Sequence, residues 1–184
     1  MSPRIVGVGG SLRTGSTTLA ALRVALEGAS RAGGDVELLD VRTLDLPPYD
    51  GSAHQSAGLA RFEEVTAAAD GMIWASPLYH GTISGAFKNA LDWLQLLASH
   101  EPPFLTGTPV GLIATAAGVQ GLQAINTMEY VVRALRGWTV PFVVPVARSY
   151  QAFTDDGAPL DSGLDTQLAK LGQEVVAAAR KFAA

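Results

Sequence analysis

The chain has 184 residues, a length that fits one domain with a sizeable core, and we expect a single domain over residues 1–184. Hydrophobic residues make up 48% of the sequence and charged residues 16%, which is typical of globular rather than disordered proteins. The net charge of -4 argues against nucleic acid as a partner. The absence of cysteine excludes disulfides, thiolate catalysis and cysteine-ligated metal sites.

The sequence also bears on location and metal binding. No apolar run reaches the roughly 18 residues needed to span a bilayer, so we expect no membrane partner. The first apolar run begins within a few residues of the start, so we expect no secretory signal and a cytoplasmic protein. The 3 histidines are scattered without metal-ligand spacing, so we expect no transition-metal site.

Five apolar, β-rich runs alternate with segments of helical periodicity. Continuous apolar patterning, as in VGLIAT and FVVPV, is typical of strands covered on both faces. The alternation predicts a doubly wound α/β fold of the flavodoxin-like kind, with helices on both faces of a five-stranded parallel sheet of order 2-1-3-4-5. The predicted strands are Arg4–Gly9, Val36–Asp40, Gly71–Ser76, Pro109–Thr115 and Val140–Val146.

The segments between the strands carry apolar stripes at helical spacing. The last segment has the clearest stripe, and Asp161 or Ser162 could cap its helix. Residues 43–56 and 149–163 are rich in turn-forming residues and predict surface loops. The stripe of the last helix comprises Leu164, Leu168, Leu171, Val175, Ala178 and Phe182.

The loop GGSLRTGSTT, Gly9–Thr18, follows the first strand and resembles two phosphate-binding motifs without matching either. Leu12 stands where the dinucleotide fingerprint GxGxxG needs its third glycine. Ser16 stands where the P-loop needs its lysine. These departures disfavour dinucleotide docking and triphosphate hydrolysis.

The side chains of this loop favour a different ligand. Hydroxyl groups crowd a strand-to-helix turn where the first helical N–H groups are free, and Arg13 adds one cation. This set of donors suits a single phosphate monoester, without a metal. The alternative is that Ser16 merely caps the helix. The hydroxyl residues are Ser11, Thr14, Ser16, Thr17 and Thr18.

Two further loops are expected at the same edge, because the carboxyl ends of parallel strands meet there. After the third strand, Pro77 predicts that the chain leaves the sheet, and Gly81 allows a close backbone approach. After the fourth strand, the small residues of TAAGVQG leave room for a bulky group. Ordinary packing is the alternative for each loop alone, but together the three loops predict a pocket for a flat ring with a phosphate tail.

The chain resembles the NADPH-dependent FMN reductase family of flavodoxin-like proteins. The resemblance runs from Ile5 to about Phe142 and rests on GSLRTGST, on ADGMIWASPLYHGTISGAFKNALDWL and on TAAGVQGL. It implies noncovalently bound FMN as cofactor and NADPH or NADH as electron donor. In this resemblance the chemistry belongs to the flavin, so we assign no catalytic acid or base.

The resemblance also assigns binding residues. It places the FMN phosphate against Ser11, Arg13 and Ser16, with Thr17 and Thr18 beside them. His80 is the candidate substrate contact, and Ala116 and Ala117 depart from the glycine or serine common in the family. The residues assigned to the two edges of the flavin ring are Pro77, Leu78, Tyr79, His80 and Gly81, and Thr115, Ala116, Ala117 and Gly118.

The implied activity is hydride transfer from NAD(P)H to FMN, followed by electron transfer to free flavin, a quinone or another small acceptor. One alternative is a flavodoxin-type electron carrier, although such carriers bracket the ring with aromatics on two loops and only Tyr79 is suitably placed here. Another is a nucleotide-binding or interaction protein that keeps the fold without the flavin. No separate site for a 2′-phosphate distinguishes NADPH from NADH.

The helix predicted from Ala86 to Ala98 is apolar around much of its girth, which indicates a partner surface. The alternative is a helix buried beneath the long loops. The family resemblance implies a homodimer or homotetramer.

Overall fold

A parallel β-sheet with helices on both faces organises the chain, and the computed structural model describes residues 2–183. Short 3-10 turns lie at Leu94–Ser99 and Ser149–Gln151. In chain order the elements are β1 (Arg4–Gly9), α1 (Thr17–Arg31), β2 (Asp35–Asp40), α2 (Val41–Leu44), α3 (Ala57–Ala67), β3 (Gly71–Tyr79), β4 (Thr82–Ile83), α4 (Gly85–Trp93), β5 (Pro109–Thr115), α5 (Leu122–Ala134), β6 (Trp138–Val146) and α6 (Ser162–Phe182).

The sheet order is β2-β1-β3-β5-β6, and each of these neighbours pairs in parallel. The predicted flavodoxin-like fold and strand order are therefore confirmed. The structure adds a sixth strand, because the two residues of β4 pair antiparallel with the end of β3. Such a short strand has no apolar run by which a sequence pattern could reveal it.

The third strand runs further than predicted. Pro77 does not take the chain out of the sheet, since it pairs with Thr115 of β5 and β3 continues to Tyr79. On the other side of β3, the pairing with β1 ends at Ala75. At Pro77, β3 therefore pairs with β5 alone, and a residue without an N–H group is tolerated there.

Two apolar cores lie on opposite faces of the sheet. Alternate strand residues point into opposite cores, so that Ile5 belongs to the core that includes α1 and α6, while Val6 belongs to the core that includes α3, α4 and α5. This two-sided burial explains the continuous apolar runs. Asp161 caps α6 by accepting from the Leu164 N–H group at 3.0 Å. The predicted α6 stripe is buried in its centre, but Phe182 at its end is half exposed beside Trp138.

Helix α4 is shorter than predicted and is covered by the chain itself. It ends at Trp93 and continues as a 3-10 turn. The Trp93 indole N–H group donates to the Pro47 carbonyl oxygen at 2.7 Å, and the Tyr49 ring packs edge-on at 5.0 Å. The prediction of a partner surface on this helix is therefore wrong, because Phe87 and Leu91 are buried in the core and residues 47–49 fold back over Trp93.

Among residues 2–183, no helix has both the length and the apolar character needed to cross a bilayer.

Candidate functional site

A cavity of about 480 Å³ opens at the carboxyl edge of the sheet. Its walls come from the loop after β1, the end of β3, the end of β5 and the segment after β6. This volume falls in the range of small-molecule and cofactor sites. The position is also the one where doubly wound sheets bind ligands, beyond the carboxyl ends of the central strands.

The loop between β1 and α1 forms the polar end of the cavity. Gly15 turns the chain with φ of 65°, and Ser16 is the N-cap of α1. The Ser16 hydroxyl oxygen accepts from the Leu19 N–H group at 3.5 Å, so the capping alternative is realised only by a long contact. The first helical turn contains no acidic residue, and its free N–H groups favour an anion.

Arg13 provides the positive charge at this end. It is the only lysine or arginine among the described residues that line the cavity, and within residues 2–183 no carboxylate lies within ion-pair distance of its guanidinium. Its side chain is exposed, whereas Ser11 next to it is buried. A free guanidinium beside hydroxyl groups and helix N–H groups suits one phosphate monoester.

Ser84 ties the first loop to the end of β3. Its hydroxyl donates to the Gly10 carbonyl oxygen at 2.6 Å, and its N–H group donates to the Ser76 hydroxyl oxygen at 3.1 Å. Ser84 is also the N-cap of α4, accepting from the Phe87 N–H group at 3.1 Å. These contacts hold two walls of the cavity at a set separation. Sequence reasoning missed this role, because a serine before a helix looks like a simple cap.

The floor of the cavity joins α1 to β5. The hydroxyl groups of Thr18 and Thr115 lie 2.6 Å apart, and both residues are almost fully buried. Pro77, Leu78 and Tyr79 form the wall beside them, with Leu78 half-buried and Tyr79 exposed. This end of the cavity offers apolar and aromatic surface of the kind that packs against a flat ring.

Valine at position 115 is expected to lower the free energy of unfolding by about 1.5 kcal/mol, because it leaves the buried Thr18 hydroxyl without its partner. The double variant T18V/T115V should lower the free energy of unfolding by no more than either single variant does, since both polar groups are then removed. Urea denaturation measures both. The exposed Thr166, changed to valine, is the control, and additive costs in the double variant would contradict the pairing.

Four of the predicted site residues do not line the cavity. His80 and Gly81, with φ of 49° and 87°, make the turn between β3 and β4, and His80 is exposed at its tip. Ala116 is buried, its N–H group donating to the Val146 carbonyl oxygen. Gly118 is exposed, and its carbonyl oxygen accepts from the Arg148 N–H group. The predicted residues that do line it are Ser11, Arg13, Ser16, Thr17, Thr18, Pro77, Leu78, Tyr79, Thr115 and Ala117.

The segment after β6 forms a wall that the sequence prediction missed. Residues 149–163 were expected to be a surface loop, yet the Ser149 N–H group donates to the Ala116 carbonyl oxygen and brings the segment over the cavity. A usable signal existed, since this segment follows the last parallel strand at the same edge of the sheet. Its lining residues are Ser149, Tyr150, Phe153, Thr154 and Asp155.

The two ends of the cavity fit the two parts of a flavin mononucleotide. The Arg13 end supplies a cation, hydroxyl groups and helix N–H groups, which suit the phosphate. The Leu78 end supplies apolar and aromatic surface, which suits the ring.

Comparisons with known proteins agree with this geometry. The family model described as NADPH-dependent FMN reductase matches residues 3–151. The NADPH-dependent FMN reductase ArsH of Rhizobium meliloti (strain 1021) is 29% identical over 178 residues, which cover 95% of this chain and 71% of the relative. The FMN-dependent NADPH-azoreductase of Staphylococcus haemolyticus (strain JCSC1435) is 29% identical over 154 residues, covering 80% of this chain and 79% of the relative.

A solved structure supports the fold. The flavoenzyme NAD(P)H:(acceptor) oxidoreductase FerB from Paracoccus denitrificans matches with a TM-score of 0.73 at 21% identity, covering 97% of this chain and 98% of that one. The family match spans all three predicted cofactor loops and the strands that carry them. The resemblance predicted from the sequence motifs is confirmed, and the chain belongs to the NADPH-dependent FMN reductase family.

Proposed function

We propose that the chain is an NAD(P)H-dependent FMN oxidoreductase that binds FMN in the cavity at the carboxyl edge of the sheet. The observation that carries the proposal is that phosphate-binding donors and an apolar, aromatic surface line one and the same cavity. The family match covers the loops that form both ends. Pro77, Leu78, Tyr79, Thr115 and Ala117 lie at the ring end.

When bound, FMN supplies the hydride acceptor and the electron store, chemistry that protein side chains do not provide. The residues of the chain bind and orient it. Arg13 and the first turn of α1 hold the phosphate, while Ser84 fixes the distance between the phosphate loop and the end of β3. No acid or base is assigned, because a hydride transfer between two cofactors needs none from the protein.

The mouth of the cavity leaves room for a second substrate. Tyr79 and Tyr150 both line the cavity and are 46% and 65% exposed. Partly exposed aromatic rings offer a stacking surface for a nicotinamide or for an aromatic acceptor. We propose that the donor and the acceptor use this mouth in turn, and that free flavin, quinones and azo compounds are candidate acceptors.

An anaerobic single-turnover experiment tests the proposal. Protein loaded with FMN is mixed with NADPH or NADH, and the loss of flavin absorbance is followed. We expect rapid bleaching with at least one nucleotide, then recovery on addition of a quinone. Bleaching that is no faster than with free FMN would instead favour the flavodoxin-type carrier. Protein that retains no FMN would favour the alternative without a flavin.

We also propose that the chain assembles as a homodimer or homotetramer. The support is a set of large apolar side chains near the cavity mouth and along α5, each more than half exposed. Light scattering of the purified protein tests it, and a monomer at micromolar concentration would contradict it. The predicted cytoplasmic location stays a prediction. The exposed side chains are Leu12, Val119, Leu122, Tyr130 and Tyr150.

A further inference from the structure

The residues that follow the family match form a compact hairpin over the cavity. The match ends at residue 151, and the covering segment, residues 152–160, lies beyond it. Phe153 and Pro159 form an isolated antiparallel bridge. The Thr154 N–H group donates to the Ala158 carbonyl oxygen at 2.8 Å, and the Leu160 N–H group donates to the Ala152 carbonyl oxygen at 2.9 Å. These bonds give the segment a defined shape.

The covering segment lies at the phosphate end of the cavity. Its residues 153–155 line the main cavity and also a smaller one of about 180 Å³. The smaller cavity is walled by residues 13–17 of the phosphate loop and by the first turns of α1, and it includes no residue of β3 or β5. Residues that line both cavities must therefore flank the phosphate loop rather than the ring site.

Asp155 brings a negative charge to this position. It is the only carboxylate among the described residues lining the main cavity, where Arg13 is the only cation. Within residues 2–183, no lysine, arginine or histidine nitrogen lies within 4.0 Å of the Asp155 carboxylate. Its charge is therefore not neutralised by a partner in the protein.

The other charged groups around the smaller cavity have different roles. Arg42 pairs with Asp40 at 3.4 Å, and the Asp156 carboxylate accepts from the Thr154 hydroxyl within the hairpin. Arg23 lines the smaller cavity but not the main one. A phosphate group held by Arg13 would thus share the cavity with the Asp155 carboxylate of the covering segment. Asp155 is exposed, and its charge would repel a phosphate group in the same cavity through solvent.

We infer that Asp155 sets how firmly the protein holds the flavin. By repelling the phosphate it weakens FMN binding and keeps FMN exchangeable between turnovers. Because riboflavin has no phosphate, Asp155 also reduces the ratio of the affinity for FMN to the affinity for riboflavin. This inference rests on the proposed function. It goes further by assigning the selectivity for the phosphorylated flavin to one residue of the covering segment.

Flavin titration of the full chain tests the inference, with quenching of flavin fluorescence as the readout. In Asp155→Asn, we expect the Kd for FMN to fall about tenfold, since one charge repulsion is removed, while the Kd for riboflavin stays the same. Asp155→Glu keeps the charge and should bind FMN like the parent protein. The gain in Asp155→Asn should shrink at high salt, as a charge effect requires.

Asp156→Asn is the matched control. It removes the same charge from the neighbouring residue, which lines only the smaller cavity, and we expect less than about a threefold change in the Kd for FMN. An unchanged Kd for FMN in Asp155→Asn would overturn the inference and leave the proposed function standing. An equal gain for riboflavin would also overturn it, because shape and not charge would then be responsible. A parent protein that binds no FMN would overturn both.

Discussion

Alanine at position 13 is expected to weaken FMN binding by about thirtyfold, the largest functional effect of any single change at this site. Arg13 is the one cation among the described residues of the main cavity, and it has no carboxylate partner to compensate its loss. A charge-assisted contact to a phosphate is stronger than a contact between neutral groups. Fluorescence titration with FMN and with riboflavin measures the effect, and riboflavin binding should hardly change.

Arg31→Ala is the control for this prediction. It removes the same charge from the last turn of α1, at the other end of the helix from the phosphate loop, and should leave the Kd for FMN unchanged. Arg13→Lys should fall between the parent and Arg13→Ala, because lysine keeps the charge but not the planar pair of donors. An unchanged FMN affinity in Arg13→Ala would contradict the assignment of Arg13 to the FMN phosphate.

Alanine at position 172 is expected to lower the free energy of unfolding by about 3 kcal/mol, roughly twice the effect expected for valine at position 115. Helices α1 and α6 cross closely on one face of the sheet, and Gly172 sits against the backbone of α1. A Cβ atom there would lie 2.6 Å from the Ala29 nitrogen and deep inside the contact distance of the Ala25 carbonyl oxygen. Backbone atoms cannot rotate away, so the helices must separate and the core loses packing.

Gly85→Ala provides the comparison in the stability measurement. An added Cβ at Gly85 meets nothing within 4 Å, so the change should be close to neutral or slightly stabilising in urea denaturation. A loss of less than 1 kcal/mol in Gly172→Ala would contradict the close crossing of α1 and α6. Gly28 faces the same crossing, where an added Cβ would lie 2.5 Å from the Cα atom of Ala169, and alanine there should act in the same direction.

Local patterns in the sequence were enough to predict the fold and much of the site. The apolar run Arg4–Gly9 and the run Pro109–Thr115 became strands with the predicted bounds, because burial on both faces leaves a continuous apolar signature. The phosphate loop could be recognised from the sequence because its donors are consecutive in the chain and follow a strand directly. The family was legible from the same motifs and is confirmed by the match over residues 3–151.

Contacts between distant segments decided what the sequence could not. Whether α4 is bare or covered depends on the Trp93 indole N–H group reaching Pro47, 46 positions away. The short strand β4 exists because the turn at His80 folds it back onto β3. The covering segment lies beside the phosphate loop, and Asp155 lines the same two cavities as Arg13 although 142 residues separate them in the chain.

By itself, then, the sequence determined the α/β class, the order of the strands and the loop that is suited to a phosphate. Both signals come from residues that are adjacent in the chain: the continuous apolar run of a buried strand and the consecutive donors of the loop. Only the tertiary structure decided which side chains share the cavity. It placed His80 outside the cavity, brought Ser149 and Tyr150 into it and set Asp155 at its phosphate end. The physical reason is that a binding site depends on the distances between loops, and those distances are set by how the whole sheet and its helices pack.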